Sequence, residues 1–182
     1  MPRNVTAICP GTFDPVTVGH LDIIRRGASK FGRVVVGLIE VPQRKSPLFS
    51  PDEREAFLRE ALSGIDNIVV DRFNELVVEF ARKWDAHMIL KGLRAISDFE
   101  YEFAMAQLNR KLAPDIETVF MMASPEHSFL SSSGVREIAA FGGSVEDLVP
   151  PSVARRLAEV YPPRESPPQA GHRAGRRSRT TH

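Results

Sequence analysis

The chain reads AICPGTFDPVTVGHLDIIRRGASKF from Ala7 to Phe31, and this stretch decides how the rest is read. A short apolar run, VTAIC (5–9), ends in Pro10-Gly11, and Leu21, Ile24, Ala28 and Phe31 then recur at helical spacing. A strand therefore passes through a brief connector into a helix. The connector carries more than a turn needs: hydroxyls at Thr12 and Thr17, an Asp14-Pro15 pair, and Gly19-His20 where the first helical turn falls. Free backbone N–H groups at a helix start favour an anion, and a glycine there lets a phosphate reach the backbone. Gly11 and Gly19 are expected to clear that space. Thr12 adds a hydroxyl donor, and His20 adds a donor that can become cationic.

Working outward, the same alternation continues. RVVVGLI (33–39), NIVV (67–70), HMIL (87–90) and ETVFMM (117–122) are short, β-rich runs of the kind buried on both faces. Between them, SPDEREAFLREAL (50–62) opens with Ser50, Pro51 and Glu53, an N-cap, a first-turn proline and a capping-box partner. Leu76, Val77, Phe80, Ala81 and Trp84 make another helical stripe. Five strands separated by helices imply right-handed crossovers, so the spacing predicts one α/β domain over 1–161. It is a Rossmann-like, doubly wound, five-stranded parallel sheet, which binds ligands beyond the carboxyl ends of its strands.

The residues that follow each strand therefore bear on the chemistry. After the second comes EVPQRKSPLF, where Arg44 and Lys45 can together hold a phosphorylated substrate. After the fourth comes KGLRAISDFEYE (91–102), with Lys91 and Arg94 close to a helix expected from about Asp98. On that helix Asp98, Glu102 and Asn109 share a stripe opposite the apolar Phe99, Phe103 and Ala106, and Glu102 lies nearest the mouth. After the fifth, Ser131-Ser132-Ser133-Gly134 precede a helix bearing Arg136, a second cradle of hydroxyls and N–H groups. P-loop and G-x-G-x-x-G fingerprints, a Ser-His-Asp set and a Cys/His cluster are all missing. The chemistry that remains is displacement at a phosphoryl group, driven by positioning and charge stabilisation.

Bulk composition bounds the setting. The apolar share of 42% suits a globular core, and no apolar run approaches the roughly 18 residues of a membrane span. The start MPRNVTAIC lacks a signal-peptide pattern, and the single Cys9 permits no internal disulfide, so the expected home is the cytoplasm. Cys9 itself reads as a small buried residue. The tail 162–182 holds five of the 24 basic residues and one of the 23 acidic ones, a net of +4 that leaves the body at −3. Rich in Pro, Gly, Ser and Arg, it is expected to be disordered. Nucleic acid is not an expected partner.

With those residues on the page, a resemblance follows. Thr17-Val18-Gly19-His20 matches the (T/H)-x-G-H signature of the nucleotidyltransferase superfamily, and Ser131-Ser132-Ser133 with Arg136 resembles its second motif. PGTFDPVTVGH, KGLRAISDFEYE and SFLSSS together resemble the bacterial phosphopantetheine adenylyltransferases, over about Val5 to Tyr161. That resemblance implies transfer of the adenylyl group of ATP to 4′-phosphopantetheine, with Mg²⁺, giving dephospho-coenzyme A and pyrophosphate in coenzyme A biosynthesis. It further implies a homohexamer. By the same resemblance, catalysis falls to His20, Thr12, Lys45 and Arg94. ATP contact falls to Thr12, Phe13, His20, Gly92, Leu93, Arg94, Glu102, His127, Ser128, Phe129, Leu130, Ser131, Ser132 and Ser133. The acceptor falls to Thr12, Lys45, Val77 and Lys91, and no protein metal ligand is implied. Counting back from Phe49 selects Lys45, whereas counting forward from Pro42 selects Arg44. Another acceptor, such as nicotinate mononucleotide or a sugar or glycerol phosphate, and a catalytically silent nucleotide- or RNA-binding module working through the basic tail are the alternatives.

Overall fold

In the computed structural model, residues 5–42 and 46–162 are described, apart from the side chains of Ile96 and Ser97. Eleven main elements alternate along them: β1 (Thr6–Gly11), α1 (Val18–Ala28), β2 (Arg33–Ile39), α2 (Pro51–Ala61), β3 (Ile68–Phe73), α3 (Val77–Lys83), β4 (Met88–Leu93), α4 (Ile96–Leu112), β5 (Glu117–Met122), α5 (Ser132–Ala140) and α6 (Pro151–Val160). The sheet order is β3-β2-β1-β4-β5, and every pairing is parallel. The chain winds outward from β1 through β2 and β3, then crosses back to β4 on the other side of β1. That reversal opens a crevice beyond the ends of β1 and β4, where such sheets bind ligands.

Strand residues alternate between two cores, as period-2 geometry requires. Ala7, Cys9, Val34, Val36, Val70 and Leu90 pack with α1, α2, α5 and α6, while Ile8, Val35, Phe73 and Ile89 pack with Val78, Phe80 and Ala81 of α3. Both faces of the central strands are covered, which explains why they read as unbroken apolar runs. Edge strand β5, expected to be buried on both faces, has no fully buried residue because only β4 flanks it. Gly27 and Gly37 allow close approach: a Cβ would lie 2.5 Å from Leu90 Cδ2 at the former and 2.7 Å from the Phe80 ring at the latter.

Three strands run beyond the apolar patterns expected for them. β1 includes Pro10 and Gly11, β3 includes Asp71, Arg72 and Phe73, and β4 includes Lys91, Gly92 and Leu93. Ladder pairing with a neighbour continues past the apolar run, so Asp71 and Arg72 of β3 and Lys91 of β4 ride on paired strand ends. The helix expected from about Asp98 begins at Ile96. Its faces differ from expectation: Phe99 and Phe103 are 45% and 48% exposed, while Asp98 and Glu102 face the crevice. Apolar and charged side chains are interspersed around this helix, so periodicity named no single inner face. Arg44, Lys45 and residues 163–182 lie outside the described residues.

Candidate active site

The crevice is a cavity of about 480 Å³ whose wall includes Gly11, Thr12, Phe13, His20, Lys91, Gly92, Arg94, Glu102, His127, Leu130 and Ser131 to Ser133. It draws on the ends of β1 and β4, the starts of α1 and α5, and one flank of α4. Thus strand ends far apart in sequence converge on one place, as the sheet topology requires.

At the start of α1, Thr17 is the N-cap and His20 stands at N3, the position a capping box ordinarily gives to Glu or Gln. The Thr17 N–H donates to His20 Nδ1 at 3.0 Å, and the His20 N–H donates to Thr17 Oγ1 at 3.3 Å. A backbone N–H only donates, so Nδ1 is the unprotonated acceptor and the neutral ring carries its proton on Nε2. Burial, reinforced by the cations of Arg94 and Lys91, pushes the His20 pKa down to about 4. The cationic donor anticipated for His20 is therefore replaced by a neutral one with a fixed tautomer. Phe13 meets the imidazole edge-on, with ring centroids 5.3 Å apart.

Phe13 takes a left-handed φ of 49°, which folds its ring back over β1. A Cβ on Gly11 would lie 2.8 Å from that ring, so Gly11 makes room for Phe13 rather than for a phosphate. Gly19 differs. A Cβ there would meet only His127 and Thr17 atoms at 3.5–3.6 Å, ordinary contacts, so the protein itself does not require glycine at this point.

Two cations of the cavity, Lys91 and Arg94, hold carboxylates of α4. Lys91 Nζ lies 3.0 Å from Glu102 Oε1, and Arg94 grips Asp98 with Nε at 2.9 Å and a second nitrogen at 3.1 Å. Arg94 also donates to the Leu130 carbonyl, tying β4 to the serine run. In that run the three hydroxyls are not equivalent. Ser131 Oγ caps α5 by accepting from Gly134 N–H at 3.0 Å, and Ser132 donates to the Pro15 carbonyl at 2.8 Å. The cradle is thus built mainly from the α5 N-terminus and Ser133, with two hydroxyls occupied in holding its shape.

Some residues singled out by resemblance stand off this wall. Val77 packs against the α3-side core, Leu93 is buried, Phe129 is 72% exposed, and Ser128 donates back to the Pro125 carbonyl. Cys9 lines the cavity, yet burial pushes its thiol up to about 12, which removes it as a nucleophile. Conversely, Asp14 was missed: its carboxylate accepts from Leu48 N–H at 2.8 Å, Phe49 N–H at 2.9 Å and Arg136 at 2.7 Å. Asp22 was missed too, and takes bonds from Ser124 Oγ and Arg26, anchoring the segment that carries His127. An Asp before proline reads as an ordinary turn, and no local pattern reports partners 34 or 122 positions away.

Among the described residues, no group of three or more His, Cys, Asp or Glu is placed to hold a metal ion. The carboxylates of Asp14, Asp98 and Glu102 at the cavity each have a cationic partner. This donor set fits a divalent cation that arrives on a polyphosphate better than one held by the protein.

The chain as a whole has relatives among known proteins. Residues 8–138 match the family described as cytidylyltransferase-like. The chain is 52% identical over 155 residues to the phosphopantetheine adenylyltransferase of Caldanaerobacter subterraneus subsp. tengcongensis, covering 85% of this chain and 96% of that one. It is 50% identical over 163 residues to the enzyme of the same name from Anaeromyxobacter dehalogenans, covering 88% and 99%. Among solved structures, a Plasmodium falciparum nicotinic acid mononucleotide adenylyltransferase complexed with NaAD superposes with a TM-score of 0.66 at 13% identity, over 87% of this chain and 96% of that one. At that identity the superposition shows the shared fold alone.

Proposed function

This chain belongs to the phosphopantetheine adenylyltransferase family, and on that premise we propose that it transfers the adenylyl group of ATP to 4′-phosphopantetheine. The observation that carries the reading is the single cavity in which Thr12, His20, Lys91, Arg94 and the α5 N-terminus converge. An acceptor phosphate oxygen attacks the α-phosphorus, the bond from that phosphorus to the β-phosphate bridging oxygen breaks, and pyrophosphate leaves. The attacking phosphate is already ionised near neutral pH, so the site needs no strong base. It needs donors for the α-phosphate and cations for the leaving group.

The residues divide along those lines. His20 offers a neutral Nε2–H to a non-bridging α-phosphate oxygen as charge develops there. Thr12 holds the acceptor phosphate, and the N–H groups opening α5, with Ser133, take the β- and γ-phosphates. Lys91 and Arg94 exchange Glu102 and Asp98 for phosphate oxygens when substrates enter. Mg²⁺ enters with ATP as part of the substrate. Lys45 or Arg44, from the segment between β2 and α2, completes the acceptor contacts.

The enzyme works in the cytoplasm, consistent with its one deeply buried thiol and with the lack, among the described residues, of any helix long and apolar enough to cross a membrane. It assembles as a homohexamer. Exposed Phe99, Phe103, Leu108 and Leu112 on α4 and Met122 at the end of edge strand β5 support self-association on this side. The test of the reaction is mass-spectrometric detection of dephospho-coenzyme A from Mg-ATP and 4′-phosphopantetheine, with nicotinate mononucleotide as the alternative acceptor. Product from phosphopantetheine alone supports the assignment; product from nicotinate mononucleotide alone would replace it.

A further inference from the structure

Among the described residues Arg54 is the largest fully buried side chain, at 0% exposure, on the inward stripe of α2 beside Phe57 and Leu58. A buried guanidinium costs several kcal/mol unless its donors are met. Here its hydrogen bonds go to main-chain carbonyls: Nε to Phe49 at 3.1 Å, one terminal nitrogen to Thr12 at 2.9 Å and Ile39 at 2.8 Å, the other to Glu40 at 2.9 Å. Burial lowers its pKa, an effect that the negative charges of Asp14 and Glu40 partly offset and the cation of Arg72 adds to.

Those carbonyls belong to three separate segments: the turn after β1, the end of β2, and the residue before the α2 N-cap. The β1–β2 ladder is in register only as far as Gly11 with Leu38. Beyond that point the planar fork of Arg54 holds the segments together. Asp14 holds the same unit from the other side, through Leu48 and Phe49 N–H. Phe49 is thus fixed through both its carbonyl and its N–H. Arg54 does not line the cavity, and these hydrogen bonds reach none of β4, α4 or α5, which supply the nucleotide side.

We propose that Arg54 is a positioning residue for the acceptor end of the site, setting the distances between Thr12, the end of β2 at Ile39 and Glu40, and Phe49 before α2. The inference rests on the adenylyl-transfer reading, because it assigns that end to the phosphate of 4′-phosphopantetheine. Lysine cannot replace it. One ammonium offers three donors from a single point, and carbonyls in three directions need a fork.

The test compares Arg54→Lys and Arg54→Gln with the wild type by thermal melting and by steady-state kinetics with each substrate varied, at a temperature where all are folded. Both variants are expected to lose on the order of 100-fold in kcat/KM for 4′-phosphopantetheine, the scale of a misplacement of about 1 Å, with KM for ATP unchanged. Restoration by lysine, or equal losses for both substrates, would overturn the proposal. Amide exchange on the intact wild type gives a reading even if the variants do not fold. Phosphopantetheine, and not ATP, is expected to slow exchange at Glu40, Leu48 and Phe49, and equal slowing by ATP would overturn the role. A wild type that turns over normally while its variants lose selectivity for neither substrate sinks Arg54 alone; a wild type that makes no dephospho-coenzyme A sinks the reaction and this role together.

Discussion

His20 has its tautomer set by Thr17, whose N–H points at Nδ1 and leaves Nε2 as the proton-bearing atom. Protonating the ring would place two donors face to face, which agrees with a pKa moved from 6.5 to about 4. Because the folded value lies below the unfolded one, the unfolded chain binds more protons between them. Stability from this group is therefore intact above pH 6.5, lost as pH falls through the window, and level again below about 4. Thermal melting of wild type and His20→Asn across that window checks it: the wild-type midpoint is expected to fall more steeply, and parallel curves would exclude a neutral buried imidazole. Arg94 is a second case at this scale. Arg94→Ala is expected to weaken ATP use by about 1.5–3 kcal/mol, the range for a lost charged hydrogen bond, read as a rise in KM for ATP. Since Arg94 is already paired with Asp98, part of that loss reflects the pair as well as the ligand.

At the scale of elements, the two glycines flanking the first turn separate steric roles. Gly19→Ala meets only ordinary contacts at the start of α1, so the melting temperature is expected to hold or rise while turnover falls, because the added methyl occupies space meant for a phosphate. Gly11→Ala strikes the Phe13 ring and is expected to cost about 1–3 kcal/mol of stability, measurable by urea titration. Strand-to-helix order, the Ser50 capping box and the convergence of motifs at strand ends were legible in the sequence, because each rests on local spacing. The faces of α4 were not, since Phe99, Tyr101, Phe103, Leu108 and Leu112 surround it. Arg54 left a trace that went unread: a charged residue three and four positions before Phe57 and Leu58 lies on the apolar stripe of its own helix. Asp14 left none, since its partners come from the segment before α2 and from α5.

At the scale of the molecule, the reversal of strand order at β1 does most to position the chemistry. It sets the T-x-G-H turn of β1 beside the Lys91-to-Arg94 end of β4, although more than 70 residues separate them. α6 closes the described fold by burying Val153 and Leu157 against the α1 and α5 side of the sheet. Among the described residues, the cavity wall is supplied by positions up to Arg136. Removal of residues 163–182 is accordingly expected to leave melting temperature and kcat/KM unchanged, whereas an RNA-binding role carried by the basic tail would leave a truncated protein without its activity. The most direct test of the whole account is steady-state pyrophosphate release from Mg-ATP and 4′-phosphopantetheine by wild type and His20→Ala. The account expects kcat to fall by about 10²–10³-fold, as for loss of one donor to a developing oxyanion, with KM for ATP nearly unchanged. A variant that keeps wild-type kcat, or loses ATP affinity and turnover in equal measure, would contradict it.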